Sequence, residues 1–221
     1  MKRFAFAAAT LGLLATAAAI ATTTATAGDY SPAPPPEKLV TIFSNLGRAY
    51  PEAIYYPFAG LPVLGPNNAN GAPRLDIATA FTVDADHTAT KIQAALLYAS
   101  GTQRADVALY TDNAGAPGTT LKTWRVQNLS NSVCCDVVTV RAPNGIKLHA
   151  GSTYWLVAKA DSLGPDTVLR WAYGTTDEVH ARQFAQYCSS DQGGSSCGDQ
   201  NDKWLSTFVL PAPAFAVFGS D

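Results

Sequence analysis

The sequence predicts an all-β fold, an antiparallel β-sandwich of jelly-roll type, on three observations. Apolar residues recur with a period of two in many short runs. Turn-forming clusters separate those runs at near-regular spacing. No segment beyond the N-terminal run keeps a helical period for more than two turns. A strand sends successive side chains to opposite faces, so a half-buried strand alternates apolar and polar positions.

The elements follow in chain order. From Leu39 the pattern is period two. Lys91 to Ser100 places Ile92, Ala94, Leu96 and Tyr98 on one face, and Asp106 to Thr111 does the same with Val107 and Leu109. Leu121 to Gln127 alternates Lys122, Trp124 and Val126 with Thr123, Arg125 and Gln127. Val133 to Arg141, Thr153 to Ala160, Val168 to Tyr173 and Ala214 to Phe218 are further β-branched or aromatic runs of strand length. Thr153 to Ala158 is apolar on both faces and is expected as a central strand buried on both sides. Between the runs lie Pro66 to Gly71, Asp112 to Gly118, Pro143 to Gly145 and Leu163 to Asp166, all built from turn residues. The Asn144-Gly145 pair is expected to connect the Val133–Arg141 and Thr153–Ala160 strands.

The chain opens with an address. Lys2 and Arg3 precede an uncharged run from Phe4 to Ala27 centred on Leu11, Leu13, Leu14 and Ile20, and Ala25-Thr26-Ala27 supplies the small residues of a cleavage site. Residues 1–27 therefore read as a signal peptide cleaved before Gly28. Residues 28–38 carry Ser-Pro-Ala-Pro-Pro-Pro as a polyproline-like spacer, and 39–221 form a single β-sandwich domain. No later apolar run is long enough to span a membrane. The expected location is secreted and extracellular, with the periplasm as the alternative.

Composition narrows the partners. The 221 residues are 47% hydrophobic and only 14% charged, with formal net charge −2, where about a quarter charged is usual. No basic excess exists to neutralise phosphates, so nucleic acid is excluded as a partner. Neutral polar side chains must solvate the surface.

The four cysteines suit an oxidising compartment. Cys188 and Cys197 flank a polar loop that a disulfide would close, leaving adjacent Cys134 and Cys135 to pair with each other or stay reduced. Three connectivities exist, and spacing alone does not choose among them. No His lies near either pair in sequence, which argues against zinc.

In order along the chain stand Phe81-Thr-Val83, Leu109-Tyr-Thr-Asp-Asn-Ala-Gly-Ala-Pro-Gly118, Ile146-Lys-Leu-His-Ala-Gly-Ser-Thr-Tyr-Trp-Leu-Val157 and Phe215-Ala-Val-Phe-Gly219. Together they resemble the choice-of-anchor R family of bacterial exported β domains, over roughly Phe81 to Gly219. The resemblance implies a compact β-sandwich working outside the cell. It brings no catalytic residues to carry over, and the C-terminal sorting signal frequent in that family has no counterpart in the sequence.

Candidate chemistry meets a plainer reading at each site. Gly194-Ser-Ser-Cys-Gly198 matches G-x-S-x-G around Ser196, but it lies in a Ser/Gly loop without the strand and helix of a nucleophile elbow, and no His follows His180. Asp177 and Glu178 beside His180 offer an acid/base grouping without a motif, and His87 and His149 stand apart, His149 at a solvent-facing turn. Asp191, Asp199, Asn201 and Asp202 gather hard oxygen donors for a candidate Ca²⁺ site, although their spacing lacks the glycine and glutamate of an EF-hand. Otherwise no cofactor is expected. Of the four tryptophans, Trp155 and Trp124 read as core. Trp171 and Trp204, near polar segments, are the candidates for stacking on a ligand, with core packing as the competing role.

These observations favour an exported non-catalytic protein that binds an extracellular polysaccharide or matrix component. A secreted hydrolase on the same scaffold and a structural surface component are the alternatives.

Overall fold

In the computed structural model, residues 39–47, 55–131, 136–175, 184–188, 203–206 and 211–221 are described. The chain divides into two compact units, Met1–Pro36 and Glu37–Asp221. Residues 1–38, read from the sequence as a signal peptide and a spacer, lie outside the described residues. No described helix is long and apolar enough to cross a membrane.

The described residues of the second unit form antiparallel strands in two sheets. The smaller sheet has the order β1 (Val40–Ser44), β13 (Phe215–Ser220), β4 (His87–Ala94), β8 (Val138–Leu148). The larger runs β5 (Leu96–Ser100), β10 (Val168–Tyr173), β2 (Tyr56–Leu64), β3 (Leu75–Thr82), β9 (Thr153–Lys159), β6 (Arg104–Asp112), β7 (Pro117–Gln127). A hairpin of β11 (Phe184–Cys188) and β12 (Lys203–Ser206) joins it through β3. Many strand neighbours are distant in sequence, because the chain passes repeatedly from one sheet to the other.

One core lies between the sheets. Phe43, Ile92, Val140 and Val217 of the smaller sheet are buried with Ile77, Val107, Leu156 and Leu169 of the larger. Phe43 stacks 4.6 Å from Phe215 and 5.6 Å from Phe81, and Phe81 meets Phe215 edge-on at 5.7 Å. β9 is the central strand that its apolar sequence requires, with Trp155, Leu156, Val157 and Ala158 fully buried. Its outward face is covered as well: Trp155 and Val157 cluster with Ala78 and Ala80, and half-buried Tyr110 and Trp204 pack against them.

Two expectations are corrected here. Lys91 to Ser100 is not one strand. It divides at Ala95, with β4 in the smaller sheet and β5 in the larger. The unbroken buried stretch Ala94-Ala95-Leu96-Leu97 marks the crossing, because a chain passing between two sheets has both faces covered. Its backbone groups are satisfied by a ring of three bonds. The Ala95 N–H donates to Ala214 O, the Ala214 N–H to Ala172 O, and the Ala172 N–H to Ala95 O, at 3.0, 2.7 and 3.0 Å.

The second correction concerns Pro143-Asn144-Gly145, which lies inside β8 rather than between strands. On β4, Ala89 pairs with Ile146 and Lys91 with Arg141, so residues 142–145 bulge from the ladder. Gly145 has φ 66°, and a Cβ there would meet Thr88 Cγ2 at 2.2 Å. The connection to β9 is instead the His149–Ser152 turn, where the Ser152 N–H donates to His149 O at 3.0 Å.

The β6–β7 hairpin closes through Asn113–Ala116, whose backbone groups bond each other at 2.8 and 3.2 Å. Ala114 has φ 53° and Gly115 φ 87°, the signature of a type I′ turn. Alanine is strained in that conformation, whereas glycine is not. Ala114→Gly is expected to stabilise the protein by about 0.5–1 kcal/mol, after the unfolded-state entropy of glycine is set against the relieved strain. Urea denaturation measures it, and an unchanged or lowered midpoint refutes it.

Candidate functional site

The edge strands of the two sheets, β7 and β8, approach one another on one side of the molecule, and the Trp124 Nε1–H donates to Arg141 O at 2.7 Å to tie them. Beside that tie opens a cleft of about 390 Å³, within the range of small-molecule sites. Its apolar floor includes Leu96, Val126, Leu129 and Val138, and its polar groups include Gln127, Asn128, Ser130, Asp136 and Thr139, with Arg125 at the wall.

Local sequence explains the shape. Asn128 adopts φ 55°, a conformation that asparagine tolerates better than most residues, and this turns the chain out of β7. Leu129 then plugs into the shared core with 4% of its surface exposed. The next residue is pinned twice: the Tyr98 N–H donates to Ser130 O at 2.8 Å, and the Ser130 Oγ–H to Asp136 Oδ2 at 2.7 Å. Behind the wall, Tyr55 is fully buried among Ala95, Leu97, Ala172 and Ala214, with Val137 packed against the group. Its hydroxyl makes no hydrogen bond of good geometry among the described residues. Burial, and then the neighbouring Asp136 charge, push the Tyr55 phenol above its ordinary range, against the opposing pull of the Asp136 backbone.

A second grouping lies on the outer face of the larger sheet. β6 pairs Asp106 with Lys159 of β9 on one side and with Arg125 of β7 on the other, so opposite charges alternate across three strands. Arg125 Nε stands 2.9 Å from Asp161 Oδ2 and 3.7 Å from Asp106 Oδ1, and the Asp161 side chain is fully buried. Nearby, Arg74 forks onto Asp76 with bonds of 3.0 and 2.8 Å. A cavity of about 200 Å³ borders Arg74, Asp106, Lys159 and Asp161.

Burial, followed by the Asp161 charge, raises the Asp106 carboxyl above its ordinary value. Burial also raises Asp76, against the opposing pull of Arg74. A carboxyl whose pKa rises on folding favours folding while it is protonated, and that contribution is lost as pH rises through the folded pKa. Asp106→Asn is therefore expected to stabilise the protein at neutral pH, with the gain vanishing below about pH 4. Melting curves across that range check this, and destabilisation at neutral pH would refute it.

A third grouping was not visible in the sequence, where the histidines stand far apart. His87 begins β4 and pairs with Leu148 at the end of β8, so His149 comes to the same cavity of about 140 Å³ with Asp86, Lys147 and Asp221. The His87 side chain is 10% exposed, with Nε2 3.4 Å from Asp84 Oδ1 and Nδ1 3.1 Å from Asp221 Oδ1. The hydrogen bond to His87 lowers the Asp84 carboxyl. His149 lies at an open turn, as expected, with 73% of its side chain exposed. Among the described residues, no three His, Cys, Asp or Glu side chains are arranged to hold a metal.

The remaining sequence candidates divide. Trp171, a stacking candidate with core packing as its competing role, is fully buried in the shared core, with its Nε1–H donating to Ala214 O at 3.0 Å. Its period-two neighbour Leu169 is fully buried too, and the polar residue nearby, Arg170, belongs to the opposite face. Trp204 is half-buried against the Trp155 cluster. Asp191, Asp199, Asn201 and Asp202, the Asp177, Glu178 and His180 grouping, Ser196, and Cys134, Cys135 and Cys197 lie outside the described residues. The backbone of Cys188 ends β11 opposite Lys203.

No family model matches the chain, and no curated protein does. Among solved structures, it is similar to the cysteine protease and lectin-like domains of Cwp84, a surface layer associated protein of Clostridium difficile. The identity is 13% and the TM-score 0.42, over 66% of this chain and 32% of that one. A likeness of that size assigns neither fold nor function, and the chain spans about a third of the one it matches.

Proposed function

We propose that the protein is an exported, non-catalytic binding protein on a jelly-roll-type β-sandwich, related to the choice-of-anchor R domains. In this reading it takes an extracellular polysaccharide or matrix polymer in the β7–β8 cleft. The observation that carries this is the cleft's lining: amide, hydroxyl and carboxylate groups set around aliphatic side chains where the chain leaves β7 and enters β8. The composition agrees, since a neutral polar surface favours hydrogen bonding over charge steering.

The test is binding of the purified chain to a panel of extracellular polysaccharides and matrix proteins, repeated with Gln127→Ala. Gln127 is exposed, so this change leaves the melting temperature nearly untouched. The expected result is a polymer whose affinity falls about tenfold in the variant. A panel without binders, or binding indifferent to Gln127, sinks the reading. Release of sugar or peptide fragments from a bound polymer would turn the assignment to the hydrolase alternative.

A further inference from the structure

On the outer face of the larger sheet, two opposite charges stand directly opposed and yet do not pair. Asp106 of β6 and Lys159 of β9 are cross-strand partners, and both border the cavity of about 200 Å³. Opposite charges at such positions ordinarily join. Among the described residues, the cation paired with Asp106 is instead Arg125, whose Nε stands 3.7 Å away. Arg125 lies closer to Asp161, at 2.9 Å, and is not among the residues bordering the cavity. Asp106 Oδ1 is buried and accepts no hydrogen bond of good geometry among the described residues. The same is true of Asp161 Oδ2, on a side chain with no exposed surface. Buried oxygens left in this way are costly to keep. Burial and the Asp161 charge also hold the Asp106 carboxyl above its ordinary range, as they must where a carboxylate is short of cations.

The charges around the cavity select what enters. A simple cation would meet Lys159 and Arg74 at the wall, and a simple anion would meet Asp106 and Asp161. Arg74 is committed to Asp76, so Lys159 is the cation that an incoming carboxylate would engage. A molecule with an ammonium and a carboxylate on one carbon answers both charges at once. The volume lies below the range of drug-sized ligands, so that molecule is small. The rim is fixed before it arrives. The Asn67 N–H donates to Pro165 O and the Gly65 N–H to Thr167 O, each at 2.8 Å, which ties together the segments carrying Pro66 and Pro165 of the cavity wall. Asn68 holds that turn from inside, its Nδ2 donating to Gly65 O at 2.6 Å and to Ala72 O at 2.7 Å. A preset rim lowers the ordering cost of binding.

We propose that this cavity binds a small free α-amino acid, its ammonium donating to Asp106 Oδ1 beside the Asp161 carboxylate and its carboxylate accepting from Lys159 Nζ. The site is separate from the β7–β8 cleft and does not depend on it. It also accounts for a charged Asp106 where asparagine would make the fold more stable, since binding groups are often kept at a cost in stability.

The experiment is an NMR titration of the purified chain with glycine, L-alanine and L-serine, and with methylamine and acetate as the two halves of the ligand. Amide shifts of Asp106, Lys159 and Ser162 report the site. The series is repeated with Asp106→Asn and Lys159→Gln, each with a thermal melt. At least one amino acid is expected to saturate those shifts, with methylamine and acetate at least about tenfold weaker. Each substitution is expected to lower the affinity about tenfold or more. Asp106→Asn is expected to keep or raise the melting temperature at neutral pH, which separates its loss of binding from any loss of folding. Saturation by none of the three amino acids overturns the proposal, as does an affinity unchanged in either variant. Methylamine binding as tightly as the amino acid would make this a plain cation site, and acetate doing so a plain anion site; either result overturns it too. The reading of the β7–β8 cleft stands or falls separately, on Gln127→Ala.

Discussion

Trp171→Ala should destabilise the protein by about 3–5 kcal/mol, the cost of deleting a large aromatic from a packed core. The indole is fully buried and meets Phe215 edge-on at 6.4 Å, so its loss opens a cavity where the two sheets touch. Its hydrogen bond is the smaller part. Ala214 O also accepts from the Ala95 N–H, so Trp171→Phe leaves no carbonyl orphaned and should cost about 1–2 kcal/mol, mainly in lost volume. Chemical denaturation of the two variants measures both numbers. A loss below about 1 kcal/mol for alanine would mean that the ring is not part of the core, and would return Trp171 to the surface role that its sequence neighbourhood suggested.

That reversal shows what the sequence carries and what it does not. β9 and β10 were legible because, apart from Lys159 and Arg170, their residues are apolar, β-branched or aromatic, so the pattern and the burial coincide. β3 was not, because Asp76, Ala78 and Ala80 occupy one face, and alanine carries little strand preference. That face is closed by Trp155 and Trp204 from distant strands, a fact of topology rather than of local pattern. The Lys91–Ser100 run looked like one strand because alternation survives the sheet change, and only the doubled apolar pair Ala95 and Leu97 betrays it. For Trp171 the local signals conflicted: nearby polar residues left exposure open, while its strand parity with Leu169 pointed to the core.

The site was less legible than the fold. Asp136 and Ser130 are six residues apart, but Tyr55, whose cluster packs against Val137, comes from a distant part of the sequence. The pairing of His87 with Asp221 and the ion row around Asp106 likewise depend on strand register. The neutral polar side chains of the cleft, Gln127, Asn128, Ser130 and Thr139, give no motif to find.

Asn45→Leu is expected to cost about 2–4 kcal/mol, because it breaks a buried clasp between the ends of the domain. Asn45 is 2% exposed and follows β1. Its Nδ2 donates to Pro213 O at 2.9 Å, its Oδ1 accepts the Phe215 N–H at 2.7 Å, and its own N–H donates to Phe215 O at 3.1 Å. Leucine fills a similar volume but strands a buried N–H and a buried carbonyl. Asn45→Asp separates polarity from packing: it keeps the acceptor for Phe215, loses the donor to Pro213, and buries a charge. Its carboxyl pKa must then lie above the unfolded value, so its penalty is least in acid, where the protonated group can donate to Pro213, and grows as pH rises through the folded pKa. Denaturation of both variants from mildly acid to neutral pH tests the mechanism. The leucine variant should run parallel to the wild type, while the aspartate variant should diverge from it with rising pH. An aspartate variant that also runs parallel would show that Asn45 holds the chain by shape, and that its hydrogen bonds are incidental to the fold.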